Sequence, residues 1–325
     1  MNRRLADPVS MRTDPHAPKR ALDDEGFDED AGPRVLDALV GRTPEAHREQ
    51  PIVPLARISE RTGRDLATLE RFVAAIERRG QAVLYGPPGV GKSHLAKELA
   101  RHLVGGGDGF VRHLVLHAAA TYEDFVQGHR PVVRKDGTTW FPLVRGRFVQ
   151  FAEEALRRRG PCVLILDEMH RADVGRVLGE LVHLLEHRGE PLPLAAGDTS
   201  IVLANNIRIL GTMSSADARA DAADLALRRR FAYLRVTPEP NVLRTFHAQT
   251  GFAVEGLLAV LARLEQTVRD PDRALGLSYF LRADLAVTIE DVWRFEVEPM
   301  LEVLLRDRPA ELSRFRWDAV RHRVS

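Results

Sequence analysis

From residue 82 onward, short apolar runs alternate with longer stretches in which apolar positions recur every three or four residues. The runs "AVLY" (82–85), "HLVLHA" (113–118), "CVLILD" (162–167) and "IRILGTM" (207–213) are apolar nearly throughout, so each predicts a strand buried on both faces. Between them, residues 91–104, 147–159 and 173–187 carry helical spacing. Strands separated by helices predict a parallel sheet covered on both sides, a three-layer αβα core of the α/β class. Ahead of the first strand, "DLATLERFVAAIERRG" sets Leu66, Leu69, Phe72, Val73 and Ile76 at helical spacing and closes on Gly80 as a C-terminal cap. Asp136-Gly137, between "VV" and "WF", predicts a small β-hairpin inserted into the scaffold.

Past Pro238 the strand pattern stops, and residues 239–325 predict a smaller all-helical unit, with Trp293, Phe295 and Leu301 in its core. Cys162 is expected to be buried in its own strand. The opposite end reads differently. Residues 1–34 are polar and include the acidic run "DDEGFDED", so they predict a disordered arm that cannot bury enough apolar surface to offset its ordering entropy. The expected division is therefore an arm to residue 34, a sheet domain over 35–238 and a helical unit beyond it.

Composition narrows the function classes. With 325 residues, 44% hydrophobic and 29% charged, the chain is expected to be an ordinary soluble protein of one or two domains. Its 47 basic and 46 acidic residues leave a net charge of +1, so no global field favours nucleic acid or an anionic membrane. A single cysteine excludes an internal disulfide framework and suits a reducing compartment. No run approaches the roughly 20 apolar residues of a membrane span. The first twenty residues have no continuous apolar segment of the secretory kind, and the expected location is the cytoplasm.

The chemistry is concentrated in three places. The first is "VLYGPPGVGKSHLAKELA", which contains two of the chain's four lysines, Lys92 and Lys97. Gly86, Pro87, Pro88, Gly89, Val90, Gly91, Lys92 and Ser93 spell G-x-x-x-x-G-K-S between a strand and a helix, and His94 follows inside that helix. Such a loop turns backbone N–H groups toward an anion at a helix N-terminus, with Lys92 reaching the β and γ phosphates and the Ser93 hydroxyl available to Mg²⁺. A nucleoside triphosphate is the expected ligand. The second is "VLILDEMH", a buried strand that ends in Asp167 and Glu168 at the carboxyl edge of the sheet, where open α/β folds bind ligands. Asp167 suits the Mg²⁺ shell, and Glu168 suits polarising a water in line with the γ-phosphate. The third is "GTMSSADARADAADLALRRRF", where a strand runs into Ser214 and Ser215 and a helix ends in Arg228, Arg229 and Arg230. These arginines either reach the nucleotide of a neighbouring subunit or complement the dipole of their own helix.

Together these motifs and the helical C-terminal unit resemble an AAA+ ATPase module. Within that superfamily "YEDFVQGHRPV" (122–132), "LDEMHRADVGRVLGELVHLLE" (166–186), "GTMSSADARADAADLALRRRF" (211–231) and "LSYFL" (277–281) are similar to the McrB-type branch. The resemblance implies a ring-shaped oligomer, commonly a hexamer, a helical lid over the nucleotide, and a separately encoded effector such as a nuclease subunit. The sequence shows no basic and aromatic interleaving of the kind single-strand binders use, so any nucleic-acid contact is expected to be indirect, through pore loops or another subunit. Carried over by residue, Gly86 to His94 line the nucleotide, Ser93 and Asp167 hold Mg²⁺, Glu168 is the catalytic carboxylate, and Arg229 and Arg230 act in trans. Ser214 stands where that branch usually has an asparagine sensor, His170 where asparagine is also usual, and Leu277 where histidine is common. Arg282 is a further candidate to reach the γ-phosphate, and Tyr122, Glu123 and Asp124 to line the nucleotide or the subunit edge. ATP is the superfamily default and GTP is known in the nearest branch. No lysine here follows an asparagine, so the N-K-x-D guanine reader is missing. A MoxR-like chaperone ATPase and a low-turnover nucleotide switch are the competing functional readings.

Overall fold

The structure, a computed structural model, describes residues 48–197, 199–215 and 227–324. The expected N-terminal arm, and all but the last residues of the expected arginine-bearing helix, lie outside the described residues.

Five strands form the central sheet: β1 (Gln81–Gly86), β2 (Val111–Val115), β3 (Cys162–Asp167), β4 (Ile207–Ser214) and β5 (Ala232–Arg235). Their order is β5-β1-β4-β3-β2, and every adjacent pair is parallel. Alternation along each strand sends residues to opposite faces. Ala82, Leu84, Val163, Ile165 and Leu210 pack with helices α1 (Leu55–Thr62), α2 (Leu66–Arg79) and α3 (Lys92–Val104) through Ile58, Leu69, Ile76, Leu95 and Leu99. Val83, Leu164, Leu166, Ile207 and Ile209 face the other way, against Phe148 and Phe151 of α4 (Arg147–Ala155) and against Val177, Leu181 and Leu184. The expected three layers are therefore present.

β5 was not among the expected strands. It is four residues long and lies between the arginine run and Pro238, too short for a period to register. The helix expected over 173–187 is broken into Val174–Leu178 and Leu181–Leu184, because Gly179 adopts φ +51° and ends the first turn. The hairpin forms where expected, with Val132–Val133 antiparallel to Thr139–Trp140, and is extended by Gln127–His129 against Leu143–Arg145.

The C-terminal region is helical: α5 (Pro240–His247), α6 (Val254–Val268), α7 (Leu285–Val292), α8 (Glu298–Leu304) and α9 (Trp317–Val324). A π-helical turn, Trp293–Val297, joins α7 to α8 just ahead of Pro299, whose nitrogen cannot donate to the helical ladder. Trp293 and Leu301 are fully buried as expected, and the Trp293 indole N–H donates to the carbonyl of Phe315. Phe295 is not in the core. It is 72% exposed, since a position two residues on from the buried Trp293 lies on roughly the opposite side of the helix and faces solvent. No described helix is long and apolar enough to cross a membrane.

Candidate active site

At the carboxyl edge of the sheet, β1 ends at Gly86, and the chain turns through Pro87–Gly91 into α3. Gly91 caps that helix at φ +87°, a conformation that L side chains rarely adopt, and this lets the loop curl before the helix begins. The unpaired N–H groups and the dipole of this 13-residue helix thus point into the loop. Lys92 is 92% buried, and its ammonium donates to the carbonyls of Gly86 (2.9 Å) and Pro87 (2.7 Å). A charge held on neutral carbonyls inside a loop of backbone donors is suited to receive an anion. His94 is exposed on the first turn of α3.

Asp167 ends β3 beside this loop. Its Oδ1 accepts from the Ser93 hydroxyl at 2.7 Å and from the Thr212 hydroxyl, and its Oδ2 lies 3.1 Å from Nε2 of His113 on β2. Burial pushes the carboxyl up, but these three contacts outweigh it and hold Asp167 below the usual carboxylate range. A serine hydroxyl against an ionised carboxylate is a pair of hard oxygen donors, the set that Mg²⁺ prefers.

Glu168 follows with φ +60°, a left-handed conformation costly for a residue with a Cβ. Its N–H donates to Thr212 Oγ1 at 3.0 Å, and its Oε2 lies 3.0 Å from Arg171 Nε and 3.4 Å from His170 Nε2. The turned backbone directs the carboxylate away from the line of β3. Ser214, at the end of β4 and in register with Gly86, donates its N–H to His170 Nδ1. Its hydroxyl is buried without a hydrogen-bond partner among the described residues. An orphaned hydroxyl beside a phosphate-type loop is a polar group awaiting a ligand. Loop, oxygen pair and orphaned donor therefore fit a triphosphate and its cation.

Thr212 and His113 were not anticipated as site residues. The one signal in the sequence was a hydroxyl near the end of the largely apolar "IRILGTM".

The arginines lie elsewhere. Arg228–Arg230 immediately precede β5, at the amino edge of the sheet and away from Lys92. Their backbone is pinned: the carbonyl of Arg230 accepts from Arg79 Nε (3.1 Å) and the Gln81 amide (2.7 Å), and that of Arg229 accepts from Arg79. The Arg230 side chain pairs with Glu186 at 3.1 Å, the Arg228 guanidinium lies over the Tyr233 ring, and Arg229 is exposed. Arg282 pairs with Glu296 at 3.0 Å within the helical region. Tyr122 donates to Glu180 at 2.6 Å, and Asp124 pairs with Arg130. Cys162 is fully buried, and burial pushes its thiol up to about 11.

The helical region meets the phosphate-type loop directly. The Ser278 N–H donates to the carbonyl of Gly89 at 3.2 Å, and a Cβ on Gly276 would fall 2.2 Å from the carbonyl oxygen of Pro88.

Residues 81–231 match the family model for the AAA domain of the dynein-related subfamily. The chain is 30% identical over 270 residues to the type IV methyl-directed restriction enzyme EcoKMcrB subunit of Escherichia coli (strain K12), covering 77% of this chain and 57% of that protein. It is 24% identical over 204 residues to the type II restriction enzyme BsuMI component YdiS of Bacillus subtilis (strain 168), covering 51% and 60%. This chain therefore spans less than two thirds of the length of either restriction relative.

Proposed function

Because the chain belongs to the AAA+ superfamily, on its dynein-related, McrB-like branch, we propose that it binds ATP with Mg²⁺ and hydrolyses it in a ring of like subunits. The work of that ring is done on a separately encoded effector of a restriction or antiphage module. The observation that carries this reading is the convergence of Lys92, the Ser93–Asp167 pair and the strained Glu168 on one sheet edge.

In this reading Lys92 leaves the carbonyls of its loop for the β and γ phosphates, and the backbone donors from Gly86 to Ser93 enclose the anion, with His94 on the first turn behind them. Ser93 and Asp167 hold Mg²⁺, which when bound neutralises charge on the phosphate oxygens. Glu168 orients the attacking water, and the Ser214 hydroxyl donates to the γ-phosphate. Arg229 and Arg230, fixed at the opposite edge, serve the site of the next subunit. The contact of Gly276 and Ser278 with the loop makes the helical region a lid that responds to the nucleotide. The restriction relatives favour a defence role over the chaperone alternative.

Light scattering with ATP and GTP in turn, together with steady-state turnover, tests the proposal. The expected result is a nucleotide-dependent multimer whose turnover falls about 100-fold or more in Glu168→Gln while assembly persists. A wild type that stays monomeric and hydrolyses no faster than the variant, with candidate effector present, refutes it.

A further inference from the structure

We propose that His170 is a positioning residue that couples the Glu168 carboxylate to the end of β4. This rests on the ATPase reading above. The His170 side chain is only 7% exposed. The Ser214 N–H donates to Nδ1 at 3.2 Å, so that nitrogen carries no proton, and the neutral ring must carry its proton on Nε2. Nε2 in turn faces Glu168 Oε2 at 3.4 Å, a separation that closing of the site can shorten to a hydrogen bond. One fixed tautomer thus accepts from the sensor strand and presents a donor to the carboxylate.

The same strand holds Glu168 a second way, since Thr212 Oγ1 accepts the Glu168 N–H. Backbone and carboxylate of Glu168 are therefore both referenced to β4, at Thr212 and Ser214. Ser214 is in register with Gly86, the first residue of the phosphate-type loop, and its buried hydroxyl, which has no hydrogen-bond partner among the described residues, is placed to engage a ligand. A displacement of Ser214 on engaging phosphate is passed through the rigid imidazole to Glu168. The histidine at 170 supplies a connection through the Ser214 backbone that does not depend on the Ser214 side chain.

Three substitutions dissect the two links. His170→Leu removes both. His170→Asn retains an acceptor near the Nδ1 position, and His170→Gln places an amide near Nε2. The measurements are kcat and KM for Mg-ATP and Mg-GTP, with nucleotide affinity by calorimetry. His170→Leu is expected to lower kcat at least tenfold with KM and affinity within about twofold of wild type, and Asn and Gln each to recover part of that loss. In a Glu168→Gln background, His170→Leu is expected to lower kcat no further, because the ring acts through the carboxylate. A wild-type kcat in His170→Leu overturns the inference, as does an additional loss in the double variant. Should the leucine variant fail to fold, the Asn and Gln variants decide: kcat and affinity falling together in both overturns it. Absence of wild-type turnover with either nucleotide refutes the ATPase reading itself and removes this inference with it.

Discussion

Thr212→Val isolates the centre of the site by changing one hydroxyl to a methyl of nearly equal volume. Thr212 is fully buried, donates to Asp167 Oδ1 and accepts from the Glu168 N–H at 3.0 Å. The valine removes a hydrogen bond to an ionised group, worth about 1.5–3 kcal/mol, and leaves a partly buried N–H without its acceptor, at about 1–3 kcal/mol. The two losses share one atom and do not add fully, so a net destabilisation of about 2–3 kcal/mol is expected. That corresponds to a thermal midpoint lower by roughly 5 °C in a chain of this size. The pH dependence has a definite sign. Asp167 lies below its ordinary value in the folded protein, so its contribution is fully present above the unfolded value, near 3.8, and is lost as pH falls through the lower folded value. The gap between wild type and Thr212→Val should be constant from about pH 7 to 5 and should narrow below about pH 4. Thr212→Ser keeps the hydroxyl and should recover most of the loss. Calorimetric unfolding of the three proteins across this range is the assay. Equal stability of wild type and valine variant, or a serine variant as weak as valine, would refute the reasoning.

Two further predictions concern assembly and the lid. Mixing Lys92→Ala subunits, which are expected not to bind nucleotide, with Arg229→Ala/Arg230→Ala subunits should restore turnover that neither shows alone, because the mixed interface joins an intact loop to intact arginines; turnover that stays at baseline argues against action in trans. Gly276→Ala should weaken nucleotide affinity about tenfold or more, since its Cβ would fall 2.2 Å from the Pro88 carbonyl and drive the helical region off the loop; unchanged affinity by titration would show that this contact does not serve binding.

The parts of the site made of contiguous residues were legible in the sequence. Gly86–Ser93 and Asp167–Glu168 each sit within a few residues of a buried strand, so local spacing alone places them at the carboxyl edge. What escaped was non-local. Thr212 and His113 meet Asp167 only because β4 and β2 flank β3, and strand order is not written in any single strand. β5 escaped because four residues carry too little period, although its pairing with β1 sets the arginines at the amino edge. The helix expected over 173–187 is interrupted by one backbone angle at Gly179, and Phe295 lies outside the core because it is two residues from the buried Trp293, not three or four.

The central claim is that a triphosphate and its magnesium ion bind in the loop around Lys92. Isothermal titration of Mg-ATP and Mg-GTP into folded wild type and Lys92→Ala tests it most directly. The account predicts saturable binding of at least one nucleotide to the wild type, lost in the variant. No binding of either nucleotide to the wild type, or equal binding to both proteins, would contradict it.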